Sequence, residues 1–341
     1  MTFKSNWEKT DTHSEIGDVT IKKIVKDSIP NKGLLSYTTI SGGCANLNIK
    51  LNFQNDSKPL ILRVYMRDPD AGHREAKLSS LIKEIKGTKG SIPVPQYYQI
   101  GEVDGYRFAL VEFMNGISLR DFLLSNPAPE LSDMKAVMIE AGEILGAIQS
   151  FTFPHSGFFD RDLKIKTPID AEGYVSFAQK CLKSPTVIRQ LGNEKITTIQ
   201  GVLQKFGHLL PDGSHAHLVH ADFDPANILV SRSGNRWKIS AVLDWEFAFS
   251  GSWLCDVANM LRYSHEVSLD FEKSFLQGLK KAGLTLPPAW QLTVHMLNLI
   301  SLLDCLARNA SKEHPNQYAD ISRLIDHILG AVRAETRGKI E

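Results

Sequence analysis

Apolar residues recur along the chain with two different periods, and the change from one to the other divides it. Leu47, Ile49, Leu51 and Phe53 alternate with polar neighbours, the period-2 mark of a strand with one buried face. Residues 38–53 therefore predict two strands joined by a small-residue turn, and LILRVY at 60–65 predicts a third. Asp18 is placed to cap a helix carrying Ile21, Ile24 and Val25 on one face, and over 72–86 Leu78, Leu81, Ile82 and Ile85 fall at helical spacing. Residues 96–113 hold two apolar runs around Asp104-Gly105, a pair that accepts the positive backbone angles of a tight hairpin turn, which completes about five strands near residue 113. From Ser118 onward the period is helical: first SLRDFLL, then 132–151 with Val137, Met138, Ala141, Leu145 and Ile148 on one stripe, then 174–207 and 252–336. The one β-rich island in this half is 217–243, where HLVH, NILV and WKISAVL predict short strands. The pattern predicts an α+β fold of two lobes, a small antiparallel sheet with one crossing helix over residues 1–113 and a larger, mainly helical lobe over 114–341, with a hinge at about 112–118.

Composition narrows the class without changing this picture. The chain has 341 residues, 43% hydrophobic and 23% charged, enough to bury a sizeable core without disulfides. The 39 basic and 38 acidic residues leave a net charge of +1, which disfavours a nucleic-acid partner. Cys44, Cys181, Cys255 and Cys305 are too scattered for a zinc site or redox pair. The opening MTFKSNWEKTDTHSE lacks an apolar signal region and no run of about 18 apolar residues occurs, so the expectation is a cytoplasmic protein with no membrane partner, monomer or homodimer.

Familiar nucleotide and hydrolase motifs fail: there is no G-x-x-x-x-G-K-[ST], G-x-G-x-x-G or G-x-S-x-G. The informative stretch is His220-Ala221-Asp222-Phe223-Asp224-Pro225-Ala226-Asn227, between two predicted strands, with Asp244 ending the next apolar run. Phosphoryl transfer needs a carboxylate to orient the attacking hydroxyl and oxygen ligands to hold magnesium on the phosphates. One loop can deliver Asp222 and Asn227 to a common pocket, and the neighbouring strand end can add Asp244. Turn-capping by Asp222 and Asp224 is the alternative use of the same residues.

HADFDPANILV followed by VLDWEFAFSGSWLCDVANMLR resembles the phosphotransferase family of aminoglycoside phosphotransferases and choline kinases, over about residues 36–310. The resemblance implies a protein-kinase-like fold with Asp222 as catalytic base, Asn227 and Asp244 as Mg2+ ligands, and His220 supporting the loop. Ala221 stands where the family often has Gly and protein kinases have Arg. A protein kinase is disfavoured, because WEFAFSGSWLCDVANM follows Asp244 directly, where D-F-G and a long activation segment would be expected.

The remaining parts fall in order upstream. Ser41, Gly42 and Gly43, with Asn46, are similar to the family's nucleotide-covering turn, where small residues let backbone amides approach phosphate oxygens; a plain Gly-Gly hairpin turn would look the same. Arg63 lies in the third strand where protein kinases keep a Lys, as choline kinases also have Arg, and Glu75 on the following helix is its natural partner. Leu110–Gly116, including Glu112 and Met114, matches the hinge that would bind the adenine of ATP or GTP.

The helical lobe should carry the acceptor, a small-molecule alcohol. Residues 251–341 contain ten acidic and ten basic residues, without the acidic surplus a polycationic aminoglycoside would need. Trp253, Tyr263, Phe271, Phe275 and Trp290 could line an apolar pocket or pack as core, and Glu246, Asp256 and Asp304 are the carboxylates that could converge on an acceptor. The expected activity is a Mg2+-dependent small-molecule kinase. Its alternatives are a catalytically weak nucleotide-binding protein, disfavoured by the joint presence of Asp222, Asn227 and Asp244, and an aminoglycoside-resistance kinase.

Overall fold

The computed structural model describes residues 2–8, 16–40, 46–55, 58–84, 92–169, 171–308 and 314–337. Helix α1 (Asp18–Ser28) lies against a sheet formed by β1 (Leu34–Ile40), β2 (Asn46–Phe53), β3 (Leu60–Tyr65), β4 (Tyr97–Val103) and β5 (Tyr106–Glu112), ordered β1-β2-β3-β5-β4 and antiparallel throughout. Alternation decides which side chains meet. Leu47, Ile49 and Leu51 of β2 and Leu60, Leu62 and Val64 of β3 bury one face with Ile21, Ile24 and Val25 of α1. Arg63 and Tyr65, being out of phase, face the other way, toward helix α2 (Ala71–Glu84), which crosses between β3 and β4.

The sequence expectations for this lobe hold closely. The Asp104-Gly105 turn carries φ of 52° and 82°, the two positive angles a two-residue hairpin needs. One correction concerns Asp18. Gly17 caps α1, and Asp18 sits inside the first turn, where it pairs with Lys22 at 2.6 Å and favours the positive end of the helix dipole.

Beyond β5 come β6 (Ile117–Ser118), α3 (Leu119–Leu123), α4 (Leu131–Ile148), β7 (Gly157–Phe159), β8 (Ile165–Thr167), α5 (Ala171–Leu182) and α6 (Pro185–Phe206). Then follow β9 (His217–Val219), β10 (Ile228–Ser233), β11 (Arg236–Val242), β12 (Phe249–Gly251), α7 (Leu254–Leu261), α8 (Leu269–Lys281), α9 (Trp290–Arg308) and α10 (Pro315–Arg337). Residues 217–243 are therefore not the only β-rich part of this lobe. Strands β7, β8 and β12, of three residues each, join β9 in a sheet ordered β8-β7-β12-β9, while β10 pairs with β11 and β6. Such strands are too short to show a period. The loop 220–227 runs from one of these small sheets to the other, so both ends are fixed.

Helix α9 is long and apolar enough to cross a membrane by length and composition, yet 61% of that stretch is buried, packed against α5, α6, α7 and α10. Residues 2–8, which the sequence pattern assigned to the first lobe, pack instead on the helical one. Phe3 is 2% exposed, with its ring 5.3 Å from Tyr263 and 6.2 Å from Phe271.

Helices α4 and α8 touch backbone to backbone through Gly142 and Gly278. A Cβ on Gly278 would run into the Ile139 carbonyl, and one on Gly142 into that of Phe275. Gly278→Ala should therefore destabilise by about 1–3 kcal/mol, since backbone cannot step aside as a side chain can. Thermal melts would show a lowered Tm; an unchanged Tm would contradict this close approach.

His265, His295 and His327 cluster between α9, α10 and the 264–266 turn, with the rings of His265 and His327 stacked at 3.5 Å. Burial, reinforced by His327, pushes both His265 and His295 down to about 4, despite Glu266 at 3.4 Å and Glu335 at 3.8 Å. The unfolded chain takes up these protons near pH 6.5 and the folded chain does not, so this part of the stability is complete above about pH 6.5 and is lost as pH falls toward 4. Melts from pH 7 to 5 should show a Tm decline that is shallower in His295→Gln, and equal slopes would refute the assignment.

Candidate active site

The loop between β9 and β10 is held from behind by one buried carboxylate. Asp256, in the first turn of α7, accepts the backbone N–H of His220 on Oδ2 and that of Ala221 on Oδ1, both at 2.8 Å. Asn259, one turn further along α7, donates to the Ala221 carbonyl at 2.7 Å. Together they hold Ala221 at φ 70°, a left-handed conformation that costs an L-residue roughly 1–2 kcal/mol. Burial pushes the Asp256 carboxyl up to about 7, against the two N–H groups that favour its charge. The imidazole of His220 is fully buried against Trp245; Nε2 donates to the Leu243 carbonyl at 2.9 Å and Nδ1 accepts the Asp222 N–H at 3.2 Å. Burial lowers its pKa, consistent with a neutral ring bridging the loop to the segment before Asp244.

This fixes Asp222. Its Oδ2 accepts from Asn227 Nδ2 at 2.8 Å, and the same amide donates to the Asp222 carbonyl at 3.0 Å. Leu243 donates its N–H to the Asn227 carbonyl at 2.8 Å, so Asn227 and Asp244 leave adjoining chain segments. Asp224 caps the turn, accepting the Ala226 N–H at 2.8 Å. Burial works against the charge of Asp222, but Lys4 and then Arg262 outweigh it and hold the group at about 2. Its side chain keeps 27% of its surface accessible.

On the facing lobe, Arg63 gathers three carboxylates. Its Nη2 lies 2.5 Å from Asp244 Oδ1 and 3.7 Å from Glu246, and its Nε 3.3 Å from Glu75. Burial opposes the charge of Arg63, and Asp244 and Glu75 reverse that and raise its pKa above the usual value. Glu75 is 1% exposed and also accepts from Tyr65 at 2.6 Å. Glu246 accepts from Asn46 at 2.5 Å, and burial followed by the charge of Asp244 pushes it up to about 7. One fixed cation against three carboxylates, Glu75 and Glu246 buried and Asp244 half-buried, leaves room for further positive charge. That charge balance, and the hard oxygen donors of Asp244 and Asn227, fit Mg2+. Among the described residues no group of three or more His, Cys, Asp or Glu forms a metal cage; a magnesium shared between two protein ligands and phosphate oxygens needs none.

The structure thus brings together Asp222, Asn227, Asp244, Arg63 and Glu75. Ser41, Gly42 and Gly43 lie outside the described residues. Glu112 donates its backbone N–H to the Gln96 carbonyl at 2.8 Å and accepts the Gln96 N–H on its side chain at 3.0 Å, and Met114 is half-buried just beyond it. The acceptor-side expectations need correction. Asp256 lies behind the loop, Glu246 faces Arg63, and Asp304 pairs with Arg308 at 2.7 Å, so these three do not converge. Tyr263, Phe271 and Phe275 are core, and Trp253 and Trp290 pack against it, because apolar helix faces bury their aromatics first. Lys4 was missed; it lies 3.1 Å from Asp222 Oδ1 and also bonds Asp224. A lone Lys in a polar stretch carries no pattern that could have signalled this.

The five-stranded sheet, the interlobe charge cluster and the helical lobe together define a two-lobed kinase-like fold. A microcompartment-associated aminopropanol kinase superposes with a TM-score of 0.63 at 17% identity, over 92% of this chain and 95% of that one. A spectinomycin phosphotransferase in complex with ADP and spectinomycin gives 0.59 at 11%, over 94% and 99%. The model of the phosphotransferase enzyme family matches residues 36–292, and the chain belongs to that family. Among curated proteins, "Probable acyl-CoA dehydrogenase IBR3" of Arabidopsis thaliana is 27% identical over 209 residues, 58% of this chain; the chain spans about a quarter (24%) of that protein's length. The expected fold and the expected phosphotransferase class are both borne out.

Asp256→Ala would leave two buried N–H groups without partners, at about 1–3 kcal/mol each, and release the strained Ala221. The expected outcome is a lower Tm together with a turnover loss of roughly 10–100-fold, since small misplacement of a reacting group is costly. A variant with reduced Tm and full turnover would show that the loop does not need this anchor.

Proposed function

We propose that the protein is a Mg2+-dependent kinase that moves the γ-phosphoryl group of ATP or GTP to a hydroxyl of a small molecule. The observation that carries this reading is the convergence of Asp222 and Asn227 from one loop, Asp244 from just beyond the end of β11 and Arg63 from β3, three separate chain segments, at the junction of the two lobes. Asp222 holds the acceptor hydroxyl and takes its proton, while Asn227 fixes the carboxylate. Arg63, oriented by Glu75, holds phosphate oxygens. Asn227 and Asp244 would hold Mg2+, which when bound neutralises charge developing on the transferred group. The segment from Glu112 to Met114 supplies the adenine edge and divides the lobes, with residues 2–8 belonging to the second. The location that goes with this activity is cytoplasmic.

For the acceptor, an uncharged or singly charged alcohol fits better than a polycation. Each ammonium of an aminoglycoside would want its own carboxylate, and Glu246, Asp256 and Asp304 are turned away or paired. An acceptor screen by mass spectrometry, looking for gain of one phosphoryl group, would identify it.

Asp222→Asn should lower turnover by about 10²–10⁴-fold while nucleotide affinity stays within a few fold, because holding the hydroxyl belongs to the transition state. Asp244→Ala should raise the magnesium requirement more than Asn227→Ala, a charge being lost rather than a neutral ligand. Kinetics, calorimetry and magnesium titrations check both. Near-normal turnover in the first variant would sink the assignment of this loop.

A further inference from the structure

We propose that Lys4 is a positioning and specificity-determining residue of the acceptor site, a fixed ammonium beside Asp222 that selects alcohols with a neutral or anionic group next to the reacting hydroxyl and disfavours amino alcohols. This rests on the kinase reading above and narrows its substrate class.

Geometry carries it. Asp222 Oδ2 is taken by Asn227, which leaves Oδ1 for an acceptor hydroxyl, and Lys4 Nζ stands 3.1 Å from Oδ1. A hydroxyl bonded to Oδ1 would lie roughly 4–6 Å from that ammonium, close enough for a neighbouring substituent to meet it. An amino alcohol would look for a free carboxylate there. The nearest, Asp224, is already held by Lys4 and by the Ala226 N–H. Arg262 behind the loop, bonded to Asn259 at 2.6 Å, and Arg308, paired with Asp304 at 2.7 Å, also act on Asp222, so with Lys4 three cations balance Asp222, Asp224 and Asp304 and no negative charge is left over. A carboxylate or carbonyl oxygen next to the hydroxyl would instead share the ammonium.

Residues 2–8 are built into the lobe rather than laid over it. Phe3 is buried in the main core, Thr2 and Trp7 donate to Asp320 at 3.1 and 2.8 Å, and Glu8 accepts the Asn316 and Gln317 N–H groups at the start of α10 at 2.7 and 3.1 Å. An acceptor therefore meets Lys4 in place, because removing it would expose the Phe3 ring and break all of these bonds.

The test uses the full chain and three matched secondary alcohols: 3-hydroxybutyrate, 1,3-butanediol and 4-amino-2-butanol. Each is assayed as phosphoryl acceptor and as inhibitor of the slow nucleotide hydrolysis in which water takes the acceptor's place. The wild-type protein should take the acid and the diol over the amine by about tenfold or more in apparent KM or inhibition constant. Lys4→Met, which keeps the stem and removes the charge, should cut that ratio by about tenfold with the nucleotide KM within about twofold, and Lys4→Arg should restore it. Phe3→Ala, which loosens the segment without altering charge, should shift the ratio in the same direction as Lys4→Met. A wild-type preference for the amine, no discrimination among the three, or an equal loss for all three in Lys4→Met would overturn the proposal. Failure of the wild-type protein to bind or hydrolyse nucleotide would instead remove the kinase reading beneath it.

Discussion

The two hydrogen bonds that Asp256 accepts from the successive N–H groups of His220 and Ala221 position everything else in the site. Ala221, which donates one of the two, sits at φ 70°, a region an L-residue occupies only at a cost. Such strain persists where the surroundings over-determine it. Here the surroundings are a carboxylate and an amide one turn apart on α7, with Arg262 holding that amide in turn through Asn259 Oδ1 at 2.6 Å. The next residue along is Asp222, so the helix sets where the carboxylate points.

The lobes meet across charge as well as apolar surface, Leu78 and Ile82 of α2 joining the core of the helical lobe. Arg63 from β3 reaches Asp244, Asn46 from β2 reaches Glu246, and Arg74 from α2 reaches the Glu246 carbonyl at 3.2 Å. Buried ion pairs give little net stability, since desolvation consumes most of the attraction. Their value is in fixing geometry. Three carboxylates around one guanidinium are also electrically incomplete, and Glu75 and Glu246 are both driven upward, by burial first and then by the charge of Asp244.

Much of this was legible in the sequence, because its cause is local. Alternation in β2 and β3 put Arg63 on the face opposite Leu62 and Val64, and the eight residues from His220 to Asn227 hold their own geometry through bonds spanning two to five residues. Asp256 stood out as a carboxylate of interest, yet its side of the loop depends on how α7 docks, which no local pattern records. Strands β7, β8 and β12 escaped notice because two turns of alternation do not fit in three residues. Lys4 lies 218 residues from Asp222 in the chain, and a contact of that separation leaves no periodic trace.

The placement of residues 2–8 on the helical lobe has a mechanical consequence. Glu8 is tied to α10, and Ile16 is buried with α1 against the sheet of the other lobe. The chain therefore crosses between the lobes before α1 as well as after β5, and the first crossing spans only the eight peptide links from residue 8 to residue 16. At no more than about 3.5 Å each, these reach at most roughly 28 Å. Residues 8 and 16 therefore stay within that distance of each other however the lobes move. Any parting of the lobes that needs a larger separation at this point is excluded by the length of the chain alone.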